Sequence, residues 1–165
     1  AELPGVKLIE LEHFEDFRGR YLESYNLALY SENGIDIGFV QDDFSMSRQH
    51  VLRGIHGDNE TWKLVSCVEG AFVLVVVNCD KESSHFGQWL RFDLSEHNGK
   101  QVLIPPKYGN AHLVITDRAI FHYKQSTYYN PEGQFTYRWN EPRFNIWWPI
   151  DNPILSHRDD LGKRV

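Results

Sequence analysis

The chain has 165 residues, with 17 Lys and Arg against 23 Asp and Glu and a formal net charge of −6. Hydrophobic residues at 41% and charged residues at 24% exclude a disordered chain and fit one globular domain, residues 1–165, with its own core. The acidic balance excludes counterion-driven nucleic-acid binding, and no apolar run approaches the ~20 residues of a membrane span.

Residues 1–10 lack a basic segment followed by an apolar stretch, so no signal peptide is expected. Cys67 and Cys79 are too few for a disulfide framework and form no zinc-type pair, which makes a reducing, cytoplasmic setting the expectation. Aromatic residues reach 14%, with 5 Trp, 8 Tyr and 10 Phe, which favours strands and broad binding surfaces over a helical bundle.

In chain order, the first periodic segment is a short helical turn over residues 25–31, ahead of Asn33-Gly34. Residues 64–68 read as a short strand. Residues 72–78 form a β-branched and aromatic run bounded by Glu69-Gly70 and Asp80, as expected of a buried strand. Residues 89–94 alternate apolar and polar. Residues 101–104 and 112–115 flank a turn-rich connector, 105–110. Residues 119–126 alternate again, and 137–139 read as a last short strand. Residues 140–160, rich in Pro, Trp and Asn, are expected as a loop packed on the sheets. Strand signals at roughly 8–12-residue spacing predict an all-β sandwich or barrel.

Among eight histidines, His13, His85 and His97 stand in turn-like polar contexts, and His122 lies within an alternating strand. His56 differs. Gly54 and Gly57 flank it, so a ligand can approach the backbone closely. On a regular strand Arg53 and His56 point to opposite faces; a bulge at the glycines brings them to one face. Metal binding in a His-containing barrel relies on a His-x-His pair, which is absent; His56, Glu60 and His112 have poor spacing for a ligand set. Lys63 beside Trp62 is either an amphipathic edge or an oxyanion-stabilising cation. Tyr129, before Asn130-Pro131, is either part of an aromatic turn staple or a proton donor. No phosphate loop, nucleophile elbow or Cys–base pair is present.

Six segments together resemble the dTDP-4-dehydrorhamnose 3,5-epimerase family of cupin-like sugar-nucleotide epimerases. They are Asp16-Phe17-Arg18-Gly19-Arg20-Tyr21-Leu22-Glu23, Phe39-Val40-Gln41-Asp42-Asp43-Phe44-Ser45, Val51-Leu52-Arg53-Gly54-Ile55-His56, Lys63-Leu64-Val65, Tyr128-Tyr129-Asn130-Pro131 and Leu155-Ser156-His157-Arg158-Asp159. The resemblance implies a jelly-roll β-barrel with short flanking helices, a nucleotide-sugar substrate and no cofactor or metal. It also implies a homodimer whose active site is completed by the partner subunit. By position, it implies that His56 is the base, Asp159 its acidic partner, Lys63 the enolate stabiliser and Tyr129 the acid on the opposite face. Arg53 matches a diphosphate contact. Arg18, Glu23 and Gln41 match nucleotide contacts, with Arg18 and Glu23 reaching the site of the partner.

The chain departs from the family pattern at several of these positions. Gly57-Asp58 follow the histidine where an aromatic residue and Gln are usual. Asn110 stands at the place of a second His, with His112 two residues on, and Asp43 replaces an Asn. These features resemble more closely a bacterial subgroup acting on GDP-linked 6-deoxy-4-keto-heptoses for capsule or lipopolysaccharide, and a small Gly57 is expected to leave room for a larger sugar. The alternatives at this point are a sugar-nucleotide 3,4-ketoisomerase, a non-catalytic sugar-binding cupin and a metal-dependent cupin dioxygenase.

Overall fold

A computed structural model describes residues 2–162; the ends of the expected 1–165 domain lie outside the described residues. The strands are β1 (Lys7–Glu10), β2 (His13–Asp16), β3 (Gly19–Leu22), β4 (Gln41–Arg48), β5 (Leu52–Gly57), β6 (Lys63–Glu69), β7 (Ala71–Asn78), β8 (Trp89–Ser95), β9 (Lys100–Ile104), β10 (Tyr108–Val114), β11 (Arg118–Gln125) and β12 (Phe135–Thr136). Two short helices flank them, α1 (Leu27–Glu32) and α2 (His157–Leu161). The strands form two five-stranded antiparallel sheets, β1-β9-β6-β11-β4 and β12-β5-β10-β7-β8, with a separate β2-β3 hairpin. The architecture is the all-β cupin-like jelly roll, with its two sheets facing each other rather than closing into one barrel. Among the described residues, no helix is long and apolar enough to cross a membrane.

Three apolar layers hold the sheets. Between them, Val65, Phe72, Leu74, Val76, Val102, Ile104 and Phe121 form the central core. The outer face of the second sheet buries Leu52, Ile55, Val73, Val75, Val77 and Leu113 beneath Phe144 and Trp148 of the C-terminal segment. The outer face of the first sheet buries Leu64 and Leu103 beneath Tyr30 and Ile35, around α1. β7 is therefore covered on both faces, which explains its uninterrupted apolar run; each buried Val contributes roughly 1.5–3 kcal/mol of transfer free energy. Buried polar ends are satisfied locally. The Tyr30 hydroxyl donates to Gln101 Oε1 at 2.6 Å, and the indole nitrogens of Trp89 and Trp148 donate to the carbonyls of Phe144 and Trp139.

The predicted strands at 64–68, 72–78, 89–94, 101–104 and 119–126 correspond to β6, β7, β8, β9 and β11, and the helical turn to α1. Three expectations need correction. The connector ends at Lys107, whose φ of 68° makes the turn, and Tyr108–Asn110 already belong to β10. The last strand is Phe135–Thr136 rather than 137–139, although Tyr137 still exchanges backbone hydrogen bonds with Ile55. The expected loop over 140–160 gives way at its end to α2, capped by Ser156, whose hydroxyl accepts from the Asp159 N–H, and closed by Gly162 at φ 65°.

Candidate active site

The site begins with an irregularity in β5. Across the β5–β10 pair, Asn110 faces His56 and His112 faces Arg53. Two steps along β10 thus match three along β5, so β5 carries one extra residue. Gly54, at φ 123°, is the residue that permits this. A Cβ there would stand 2.5 Å from the Asn110 carbonyl oxygen and 2.6 Å from Ala111 Cα. The bulge brings Arg53 and His56 to one face, into a cavity of about 400 Å³ between the two sheets. On β10, Asn110 and His112 face this cavity, while Ala111 and Leu113 face the C-terminal cover.

α2 packs against β5 and delivers Asp159, 2% exposed, to His56. His56 Nε2 lies 2.5 Å from Asp159 Oδ1. Burial disfavours the Asp159 carboxylate, yet hydrogen bonds from His56, the Gly54 N–H and Ser156 outweigh it and hold the carboxyl below its ordinary value. With a carboxylate on Nε2, that nitrogen carries the proton and Nδ1 is the basic one. The dyad is part of the wall formed by the second sheet.

The first sheet supplies the opposite wall. Lys63 opens β6 and is 9% exposed. Burial pushes its ammonium below the usual range, Asp58 opposes that shift, and Arg158 adds to it. Tyr129 follows β11 and is held by its backbone, whose N–H donates to Gln41 Oε1 at 2.9 Å. Gln41 Nε2 in turn donates to Asp43 Oδ2 at 2.8 Å, which also accepts from Gln125 Nε2 at 2.7 Å. Arg53 is anchored through Nε on Ser47 Oγ at 2.9 Å. His112 stacks on Phe121 at 4.1 Å between ring centroids; burial, with Arg53 and His56 nearby, pushes its pKa down to about 3, so it is neutral.

Nine of the eleven site residues singled out from sequence therefore converge: His56, Asp159, Lys63, Tyr129, Gln41, Asp43, Arg53, Asn110 and His112. Arg18 and Glu23 do not join them in this chain. Arg18 sits at the hairpin tip, paired with Asp16, and Glu23 lines a different groove of about 920 Å³ with Tyr21 and Phe14. The expectation for Gly57 fails. A side chain there would run into the Phe135 ring and the Tyr108 carbonyl, so its smallness serves backbone packing and opens no room in the cavity. Phe121, Tyr123 and Gln125 line the cavity at alternate positions of β11, a period readable in the 119–126 pattern; Arg158 gave no signal of its own. Among the described residues, no group of three His, Cys, Asp or Glu side chains could hold a metal ion.

The sequence profile of the dTDP-4-dehydrorhamnose 3,5-epimerase family matches residues 1–165. The chain is 37% identical over 168 residues to the enzyme of that name from Shigella flexneri, covering 99% of this chain and 93% of the relative. It is 31% identical over 161 residues to a dTDP-4-dehydrorhamnose 3-epimerase from Streptomyces niveus, covering 95% and 78%. Among solved structures, the Legionella pneumophila 3,5-epimerase in complex with dTDP-4-keto-L-rhamnose superposes with a TM-score of 0.93 at 36% identity, covering 99% of this chain and 89% of that one. The Bacillus anthracis 3,5-epimerase with TDP and pyrophosphate bound gives 0.93 at 32%, covering 98% and 94%. On its sequence and its fold, the chain belongs to the dTDP-4-dehydrorhamnose 3,5-epimerase family.

Proposed function

We propose that the protein inverts C3, C5 or both in a nucleotide-linked 4-keto-6-deoxy sugar without a cofactor, through an enolate. The observation that carries this reading is the His56–Asp159 dyad on one wall of a cavity whose other wall holds Lys63 and Tyr129. The 4-keto group acidifies the neighbouring C–H bonds. His56 Nδ1 takes the proton, the C–H electron pair forms the C=C bond, and the carbonyl pair moves onto the keto oxygen beside Lys63. Tyr129 returns a proton to the other face, and imidazolium and phenolate reset by exchange with solvent. Asp159 holds the tautomer and stabilises the imidazolium. A pure binder has less use for this arrangement, since a binding site needs no buried carboxylate–imidazole pair.

The finer reading is a GDP-linked 6-deoxy-4-keto-heptose, serving surface polysaccharide synthesis in the cytoplasm, where nucleotide sugars are made. Gly57 no longer supports it; the polar pair Asn110 and His112 does, since it suits a sugar bearing an additional hydroxyl. The functional unit is a homodimer in which Arg18 and Glu23 enter the partner's site. The separate β2-β3 hairpin supports this, carrying Phe14, Phe17 and Tyr21 at 67%, 97% and 67% exposure. The test is proton NMR in D₂O with dTDP-hexose and GDP-heptose substrates in parallel. Deuterium entering at C3 or C5 is the expected result. Absence of exchange with every 4-keto sugar nucleotide, in a folded dimer, refutes the epimerase reading. Exchange with dTDP-hexose alone refutes the heptose.

A further inference from the structure

Among the described residues, three buried side-chain polar atoms have no hydrogen-bond partner: Asn110 Oδ1, His112 Nε2 and Arg158 Nη2. All three residues line the cavity that holds His56 and Lys63. An unpaired buried donor on a charged group is costly, and such groups are retained where a ligand completes them. Arg158 has the strongest claim because its surroundings are built. Its Nε donates to Thr136 Oγ1 at 2.9 Å. Thr136 lies directly opposite His56 in the β5–β12 register. The next residue in the chain, Asp159, holds His56 itself. One turn of α2 thus orients the base and aims a guanidinium at the same end of the cavity. The charges there are unbalanced: Arg53, Lys63 and Arg158 line the cavity against Asp43 alone.

Resting on the epimerase reading, we propose that Arg158 is a second cation at the reacting ketone, its Nη2 donating a hydrogen bond to the enolate oxygen alongside Lys63 Nζ. Both deprotonations place negative charge on that one oxygen, so two donors held on separate elements, β6 and α2, serve either centre. Without an anion the two cations disfavour one another; burial lowers the Lys63 pKa and the Arg158 charge adds to the effect, while Asp58 opposes it. Across β11 and β9, Lys63 faces the uncharged Gln125 and Ile104, and the cavity's other titratable or charged side chains are Asp43, Arg53, His56, His112, Tyr123 and Tyr129. The enolate relieves the repulsion at the moment it forms, which is differential stabilisation of the transition state.

The test compares wild type, Arg158→Gln, Arg158→Lys and Thr136→Val in deuterium exchange, steady-state kinetics and calorimetric binding of the matching nucleoside diphosphate. Arg158→Gln is expected to lose about 100-fold in kcat, in line with removal of one oxyanion donor, with diphosphate affinity held within about threefold. Arg158→Lys, keeping the charge but not the fork, is expected to recover about tenfold of that. The alkaline fall in kcat/KM is expected to move to higher pH in Arg158→Gln and to stay in place in Arg158→Lys, a shift that a purely structural defect does not produce. If Arg158→Gln fails to fold, Thr136→Val decides: freeing the guanidinium is expected to cost about tenfold in kcat, and an unchanged kcat overturns the proposal. Unchanged kcat in Arg158→Gln, or a loss confined to diphosphate affinity, overturns it while leaving the epimerase reading intact. Wild-type protein without exchange overturns both.

Discussion

Asp159→Asn isolates the contribution of the dyad. The replacement is nearly isosteric, and its remaining carbonyl oxygen can still accept from the Gly54 N–H, so the α2–β5 junction is expected to hold. What changes is the partner of His56 Nε2, now 2.5 Å from Asp159 Oδ1. An amide NH₂ at that place donates, which forces Nε2 to accept and moves the ring proton to Nδ1, the nitrogen that must be free to act as base. The imidazolium also loses its counter-charge. With charge centres roughly 4 Å apart and an effective dielectric of about 20, that attraction is about 4 kcal/mol, or about a thousandfold in rate. The tautomer penalty adds to it, so a fall in kcat of about 10³–10⁴ is expected, with substrate affinity changed little. Deuterium incorporation by NMR under saturating substrate measures this directly, with a thermal melt to verify folding. A folded Asp159→Asn protein that keeps kcat within tenfold of wild type refutes the argument that Asp159 fixes the tautomer and supports the imidazolium.

Tyr129→Phe removes the proton donor and leaves its backbone bond to Gln41 in place. Wash-in of deuterium is expected to fall less than formation of inverted product; equal losses in the two would remove Tyr129 from the acid role. Gly54→Ala is expected to destabilise the fold by about 3 kcal/mol or more, since its Cβ would press on the Asn110 carbonyl and Ala111 at a positive φ. A melting temperature near wild type would show that β5 does not need its bulge. His112 titrates near 6.5 when unfolded but only at about 3 in the fold, so the unfolded state binds more protons between these values. The imidazole therefore destabilises the fold progressively as pH drops from about 6.5 towards 3, by up to about 5 kcal/mol. His112→Phe is expected to flatten the stability–pH curve in that window, and an unchanged slope would contradict the neutral, buried imidazole. Asp159 acts lower: its carboxyl is held below 3.8, so its stabilisation is present above that pH and lost as acid takes it through its folded value.

The sequence by itself determined the fold class and most of the central strands. Apolar runs and alternation are local signals, and β6 to β9 and β11 follow them because each strand's faces are dictated by the layers that cover it. β1 to β4 are short, exposed or polar on the visible face, so their pairing, rather than their composition, defines them. The candidate base, cation and acid were legible as residue types in motifs, and their roles came only from the family resemblance, not from spacing or composition. Spacing alone placed Arg53 and His56 on opposite faces unless β5 bulged, and only the register with β10 shows the extra residue. Asp159 lies 103 positions from His56 in the chain, a contact no local pattern encodes. Gly57 misled because its neighbours in space, Phe135 and Tyr108, come from other strands. Arg158 was silent for the same reason: an unpaired Nη2 is a property of what surrounds it, and the surroundings are assembled only when α2 closes against the second sheet.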